Sequence, residues 1–166
     1  MQNNIIKITS IDELSECLNV IHKAYEHRDK EMNLKIDEHR HTYMTMDELK
    51  NMYKDGIKMY KYCYSNKIIA FLSLKINSDS IKIKDIVVLP EYQNNGIGKE
   101  LLDFSKIYAK EIKKDKIILG FIYNNTKLKT WYEKNGFVLT ETKEFPNNKV
   151  GYMEYKFEGV DPNEWK

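Results

Sequence analysis

The sequence has few cysteines, few arginines and no long apolar run, and each shortage excludes a class of protein. Two cysteines among 166 residues cannot build the disulfide framework of a small secreted domain. Cys17 and Cys63 lie among apolar neighbours, so we expect both to be small core residues. No apolar run approaches the ~20 residues of a membrane span. The first residues, MQNNIIKITSIDEL, lack the basic and apolar regions of a secretory signal, so we expect a cytoplasmic protein without a membrane partner.

A large excess of charge of one sign is also missing. The 27 lysines and arginines nearly balance the 25 aspartates and glutamates, and Arg28 and Arg40 are the two arginines. A dedicated nucleic-acid-binding protein takes most of its affinity from clustered basic residues. We therefore expect no nucleic-acid partner.

Apolar periodicity predicts strands and helices mixed within one domain. Capping boxes at residues 10–13 (SIDE) and 45–48 (TMDE) indicate two helix starts. The segments MYKYCYS and IIAFLSLKI are typical of a hairpin, which we expect to turn at Asn66 and Lys67. Later segments predict two buried strands (SIKIKDIVVL and KIILGFIY), a helix over 126–135 closed by Gly136, and a final hairpin (FVLTETKEF with GYMEYKF). Without repeats or linkers, residues 1–166 are predicted to form a single α/β domain.

The stretch VVLPEYQNNGIGKELL, residues 87–102, places two glycines where a buried strand gives way to a helix. The first amides of a helix lack partners inside it and the helix dipole adds positive charge, so the stretch predicts an anion site. Glycine also lacks the Cβ that would keep a phosphate away from these amides. A Walker loop would need glycine at Gln93, and a dinucleotide fingerprint would need glycine at Leu101. The spacing that remains is Q-x-x-G-x-G.

This motif, together with the later stretch NNTKLKTWYEKNGF, resembles the GNAT superfamily of acetyl-CoA-dependent N-acetyltransferases. The second stretch is similar to the family's asparagine, short tyrosine-bearing helix and Gly-Phe pair. The order of elements is similar over nearly the whole chain. The resemblance implies the GNAT-like acyl-CoA N-acyltransferase fold, a central mixed, mostly antiparallel sheet flanked by helices. It also implies transfer of an acetyl group from acetyl-CoA to a primary amine by direct attack in a ternary complex.

The resemblance assigns cofactor-binding roles to two backbone segments and one side chain. Coenzyme A pyrophosphate is expected on the amides of the glycine turn, and its pantetheine arm along a strand that splays from its neighbour. Asn125 matches the asparagine that holds the arm. The backbone positions are Ile86, Val87 and Val88 in the strand and Asn94, Asn95, Gly96, Ile97, Gly98 and Lys99 in the turn. The simpler alternative for the strand is that all its amides join the sheet.

Tyr132 matches the family's tyrosine beside the sulfur of the cofactor. A phenol of pKa ~10 can hydrogen-bond or protonate the departing thiolate without being ionised at neutral pH. The alternative is that Tyr132 is one of 12 tyrosines, packed beside Trp131.

A base is also expected, because a primary amine of pKa ~10 is mostly ammonium at neutral pH. Gly120 stands where some family members carry a glutamate, so that assignment fails. Our candidate is Asp85, whose alternative is an ordinary strand-edge carboxylate paired with Lys82 or Lys84; Glu154 is a weaker candidate.

The remaining features leave the acceptor open. His39 and His41 have a nonspecific spacing and no supporting Cys or His pair, so no metal is expected. Their segment borders the acceptor site in the family and could supply carboxylates to a cationic amine, or be a solvated loop.

Trp165 could dock on the core or on a partner, and family members often form homodimers. Two alternative functions also stay open: a non-catalytic coenzyme A sensor or partner module, and an unrelated phosphate-binding domain.

Overall fold

The computed structural model describes residues 4–34 and 44–157. The strands are β1 (Ile5–Lys7), β2 (Lys58–Tyr64), β3 (Lys67–Ile76), β4 (Ser80–Val88), β5 (Lys116–Ile122), β6 (Val138–Glu144) and β7 (Lys149–Lys156). The helices are α1 (Leu14–Met32), α2 (Met46–Lys54), α3 (Ile97–Glu111) and α4 (Thr126–Lys134). Short 3-10 turns, Ile11–Glu13 and Pro90–Tyr92, precede α1 and follow β4.

The strands form one seven-stranded sheet in the order β1-β2-β3-β4-β5-β7-β6. Within it, β4 and β5 pair in parallel and the other neighbours pair antiparallel. This confirms the mixed, mostly antiparallel sheet expected from the sequence. The final hairpin is also confirmed, with β7 lying between β5 and β6.

Helices cover both faces of the sheet. In β2, the Tyr60 ring packs against Phe104 of α3 with centroids 4.8 Å apart. Its neighbour Lys61 points the other way and pairs with Glu13, just before α1, at 2.9 Å. Because successive strand side chains face opposite sides, α1 and α3 lie on opposite faces. α2 packs beside α1, and Trp131 brings α4 against the start of α3.

The local signals for turns and caps are mostly confirmed. Ser10 and Glu13 form the predicted capping box, and Thr45 accepts a hydrogen bond from the Glu48 amide. The predicted hairpin turn is wrong by one residue, because the turn is formed by Ser65 and Asn66 with φ of 48° and 61°. Two successive left-handed residues are typical of the two-residue turns that match strand twist.

No helix in the ranges described above is long and apolar enough to cross a membrane.

Candidate active site

The sheet opens between β4 and β5, which is where the sequence predicts a splayed strand. These strands pair from Ser80 opposite Lys116 to Ile83 opposite Leu119. Beyond that point β4 continues beside β3 to Val88, while β5 continues beside β7 to Ile122. The parallel ladder therefore stops halfway, and we call the space beyond it the interstrand gap.

A β-bulge accompanies the opening. In the pairing of β3 with β4, Leu74 lies opposite Ile83 and Ser73 lies opposite Asp85, so Lys84 is the extra residue. A bulge bends its strand and increases its twist. The bulged strand turns away from β5 at the residue where their pairing ends.

The backbone of β4 exposes polar groups to the interstrand gap. Leu89 donates its N–H to the Ile69 carbonyl at 2.8 Å, which fixes the alternation of hydrogen bonds along β3 and β4. Val87 therefore bonds towards β3, whereas the amides and carbonyls of Ile86 and Val88 face the gap. The alternative of an uninterrupted ladder is wrong here. The Gln93 side chain covers one exposed group by donating to the Val88 carbonyl at 3.1 Å.

The glycine turn, residues 93–99, presents a run of free amides beside the gap. Asn94 and Gly96 adopt left-handed φ of 63° and 79°. The Asn95 side chain fastens the turn by donating to the carbonyls of Tyr92 and Gln93, both at 3.1 Å. Within the described ranges no hydrogen-bond acceptor meets the N–H groups of residues 94–99, and the first helical bond runs from Glu100 to Gly96 at 3.0 Å. Six amides and the positive end of α3 make this turn an anion site.

The two glycines serve different purposes. Gly96 is required by its positive φ, which residues with a Cβ rarely adopt. Lack of space is not the reason, because a Cβ there would meet nothing within 4 Å. At Gly98 a Cβ would lie 3.2 Å from Cζ2 of Trp131, so this glycine allows α4 to pack against the start of α3. We expected glycine here because a Cβ would keep a phosphate away from the amides. The structure adds two other reasons, the backbone conformation at Gly96 and the packing of α4 at Gly98.

One cleft of about 1140 Å³ joins the gap, the glycine turn, α4, the second half of α1 and the β6–β7 turn. Among the sequence candidates it is lined by Ile86, Val87, Val88, Asn94, Gly96, Ile97, Gly98, Lys99, Asn125 and Tyr132. Asn95 is not among the lining residues, in keeping with its role inside the turn.

Tyr132 lies in the cleft wall at 4% exposure. Its ring is surrounded by Trp131, Phe137 and Phe121, with centroids 5.1, 5.5 and 6.5 Å away. Its hydroxyl has no hydrogen-bond partner within the described part of the chain. Burial raises the pKa of Tyr132 well above its usual value, so the phenol stays protonated at neutral pH.

Asn125 caps α4 and also lines the cleft. Its Oδ1 accepts a hydrogen bond from the Leu128 amide at 3.1 Å. Its side-chain N–H₂ group has two further donors, for which the described residues supply no acceptor.

Asp85 lies behind the cleft wall. It is 2% exposed, so it is not the ordinary strand-edge carboxylate that was its alternative. Its two oxygens accept hydrogen bonds from the hydroxyls of Tyr25 and Ser73, each at 2.7 Å. Tyr25, unlike Asp85, lines the cleft. Glu154 is engaged elsewhere, pairing with Lys116 at 3.0 Å.

Sequence reasoning missed several residues of the cleft wall. Tyr25 was not among the candidates, because helical spacing alone cannot show that a side chain of the helix lines a cavity. Gln93 belongs to the motif, but its bond to Val88 depends on the turn geometry. The β6–β7 turn contributes Phe145, half exposed at 47%. Gly120 also lines the cleft, with the Tyr152 side chain 3.4 Å from where its Cβ would be.

We expected no metal at His39 and His41, and both residues lie outside the described residues. Trp165 also lies outside them. In the ranges 4–34 and 44–157, no group of three or more His, Cys, Asp or Glu could hold a metal ion.

Comparisons with known proteins agree with this geometry. The family model of the acetyltransferase (GNAT) domain matches residues 55–139. The PaiA N-acetyltransferase of Thermoplasma acidophilum, solved in complex with coenzyme A, superimposes with a TM-score of 0.77 at 22% identity, over 95% of this chain and 100% of that one. The ribosomal-protein-S18-alanine N-acetyltransferase of Escherichia coli gives a TM-score of 0.79 at 15% identity, over 98% of both chains.

A GNAT family acetyltransferase of Elizabethkingia anophelis, solved with acetyl-CoA bound, gives a TM-score of 0.58 at 25% identity, over 66% of this chain and 82% of that one. No curated protein has a significantly similar sequence.

Proposed function

Because the chain belongs to the GNAT acetyltransferase family, we propose that it transfers the acetyl group of acetyl-CoA to a primary amine of a small molecule or peptide. The amine attacks the thioester directly, within a ternary complex. Family membership excludes the unrelated phosphate-binding domain that the glycine turn alone left open.

The observation that carries this proposal is the meeting of three features in one cleft. The free amides of residues 94–99, the exposed backbone edge of β4 and Tyr132 all belong to the wall of this one cleft. A coenzyme A molecule presents a matching group for each of them: a pyrophosphate, an amide-containing arm and a thioester.

The charge and the free N–H donors of the glycine turn support binding of the pyrophosphate there. The pyrophosphate accepts hydrogen bonds from the amides of the glycine turn and is stabilised by the dipole of α3. Lys99 is held by Asp103 at 2.8 Å, so it is its backbone amide that we assign to the phosphate. Asn125 offers its side-chain N–H₂ to the arm.

At the reacting end, the Val88 amide faces the interstrand gap and polarises the thioester carbonyl, an oxyanion-type contact. Acetyl-CoA supplies the activated acetyl group. Tyr132 holds its proton at neutral pH and donates it, or a hydrogen bond, to the sulfur as the carbon–sulfur bond breaks.

A thermal-shift measurement tests cofactor binding. Acetyl-CoA at about 100 times its dissociation constant should stabilise the protein by about 2.7 kcal/mol, which raises the melting temperature by roughly 5–10 °C. Inorganic pyrophosphate serves as the control for nonspecific anion binding and should give a smaller shift. An unchanged melting temperature at millimolar acetyl-CoA would contradict the proposal.

Release of free thiol then separates an enzyme from a coenzyme A sensor. A panel of primary amines, comprising spermidine, kanamycin, free amino acids and a peptide with an N-terminal alanine, should include at least one acceptor. A protein that binds acetyl-CoA but acetylates none of them would favour the sensor.

A further inference from the structure

The groups assigned to the cofactor lie on one face of the sheet, which leaves the other face to the acceptor. The glycine turn, Asn125 and Tyr132 belong to α3, α4 and the segments that lead into them, whereas the opposite wall of the cleft comes from α1. We call the wall formed by α1 and by the β4 side chains that face α1 the acceptor side. An amine that reaches acetyl-CoA from across the sheet contacts this wall.

Lys82 of β4 belongs to the acceptor side. Ser73 donates to Asp85, which also accepts from Tyr25 of α1, so the Ser73 side chain faces α1. Lys75 lies two residues further along β3 and faces the same way, because side chains two apart in a strand share a face. Lys82 pairs with Lys75 across the two strands, so it also faces α1, and it lines the cleft.

The charged side chains of the acceptor side do not balance. Two pairs within α1 each join an acid to a base, namely His27 with Glu31 at 3.0 Å and Arg28 with Asp29 at 2.7 Å. The other charged residues of this wall are Lys82 and the bulge residue Lys84. Neither lysine forms a salt bridge within residues 4–34 and 44–157. The acceptor side therefore carries two ammonium groups without a carboxylate partner.

The surroundings of Lys82 disfavour its charged form. Burial first, and then the charges of Lys84 and Lys75, lower the pKa of Lys82 from its usual value. An anion bound beside Lys82 would offset both effects. Asp55 borders a separate, smaller cavity with Lys75 and Lys84, but it forms no salt bridge with either lysine in the part of the chain described.

On the basis of the proposed function, we propose that the acceptor is an amine that also carries a carboxylate, and that Lys82 and Lys84 select it by binding this carboxylate. Lys84 and Lys82 precede Ile86 by two and four residues, which is about 7 and 13 Å along a strand. The polar backbone groups of Ile86 face the interstrand gap, so the carboxylate lies one or two residue lengths from the reacting amine. Acidic amino acids and peptides with an acidic second residue have this spacing.

Polyamines and aminoglycosides present the opposite charge to this wall. Glu31 is the single carboxylate among the described residues that line the cleft, and His27 already pairs with it. The additional ammonium groups of a polycation would meet lysines, and repulsion between like charges excludes such ligands. We expect polycations to be poor acceptors.

Paired acceptors test this selectivity by thiol release. We expect kcat/KM for glutamate to exceed that for glutamine, or kcat/KM for alanyl-glutamate to exceed that for alanyl-glutamine, by about 10-fold or more. The pair with the higher values shows whether the carboxylate belongs to an amino acid or to a peptide. Equal values within both pairs, or a preference for spermidine, would overturn the inference.

Substitution of Lys82 by Met removes the charge and keeps most of the stem. We expect kcat/KM for the preferred acidic acceptor to fall about 10-fold or more, mainly through KM. The value for its uncharged analogue and the dissociation constant of acetyl-CoA should stay unchanged. The matched control is Lys75→Met, which removes the lysine opposite but lies outside the cleft lining, and it should keep wild-type kinetics. An equal loss on both acceptors, or in both variants, would indicate a structural role instead.

Reversal of the charge gives a gain that damage to the fold cannot imitate. Lys82→Glu should lower kcat/KM for the acidic acceptor and raise it for spermidine, because the wall then attracts cations. An unchanged order of preference in this variant would contradict the inference.

Binding of glutarate tests the site without turnover and without relying on a variant. Calorimetry on the wild-type protein saturated with coenzyme A should detect glutarate and should not detect its uncharged analogue glutaramide, and absence of glutarate binding would overturn the inference. Glutarate binding that is lost in Lys82→Met, with no acetyl transfer to any amine, would support the carboxylate site and contradict the proposed function. Acetyl transfer that does not distinguish acidic from uncharged acceptors would contradict the inference alone.

Discussion

Burial of a phenol without a hydrogen-bond partner costs about 1–3 kcal/mol. Tyr132 lies in the cleft wall with its ring packed among aromatic side chains, and its hydroxyl has no hydrogen-bond partner within the described residues. If Tyr132, which is 4% exposed, had only a packing role, phenylalanine would fill the same space without the cost of burying a hydroxyl. The unpartnered hydroxyl is therefore best explained by a ligand that completes its hydrogen bonding.

Substitution of Tyr132 by Phe tests this at the scale of one atom. We expect kcat to fall by about 10²-fold or more, since the thiolate loses its donor, while the dissociation constant of acetyl-CoA changes little. Steady-state kinetics and calorimetry measure the two quantities. Unchanged kcat would remove the role assigned to this hydroxyl.

The raised pKa of Tyr132 predicts how kcat depends on pH. Tyr132 must be protonated to donate, and its raised pKa keeps it protonated through pH 10. Ionisation of Tyr132 should therefore cause no fall in wild-type kcat between pH 7 and pH 10.

At the scale of elements, α4 depends on a residue that also faces the ligand. Asn125→Ala should destabilise the protein by about 1 kcal/mol because it removes the N-cap, and should weaken acetyl-CoA binding because it removes the side-chain donors. Asn125→Ser keeps a capping oxygen and removes the N–H₂ donors, so it should restore stability without restoring affinity. Urea unfolding and calorimetry give the two values. Full recovery of affinity in the serine variant would show that Asn125 acts only as a cap.

The same scale shows what sequence could and could not predict. The helix starts at Ser10 and Thr45 could be predicted because a helix cap depends only on residues that are close in sequence. The glycine turn could be predicted from the spacing of its motif. The bulge at Lys84 was not, because the stretch IKIKDIVV alternates smoothly up to Asp85 and nothing in it marks an extra residue. The contacts of Asp85 depend on that bulge and on a helix 60 positions earlier in the chain, so its burial behind Tyr25 could not be predicted.

At the scale of the whole molecule, the interstrand gap opens through the sheet. Tyr25 reaches it from the α1 face and Tyr132 from the α3–α4 face, and both line the same cleft. Acetyl-CoA can then occupy one side while the amine approaches from the other.

Initial-rate kinetics test this arrangement. Both substrates bound together predict double-reciprocal lines that intersect when acetyl-CoA and the amine are varied. Parallel lines would indicate an acetylated enzyme instead, and would contradict direct attack.

The measurement that tests the central claim most directly is the response of individual backbone amides to coenzyme A, read from two-dimensional ¹H–¹⁵N NMR spectra. We predict that the largest shifts fall on the free amides of residues 94–99 and on Val88. Binding that leaves these amides unchanged and shifts resonances away from the interstrand gap would contradict the account.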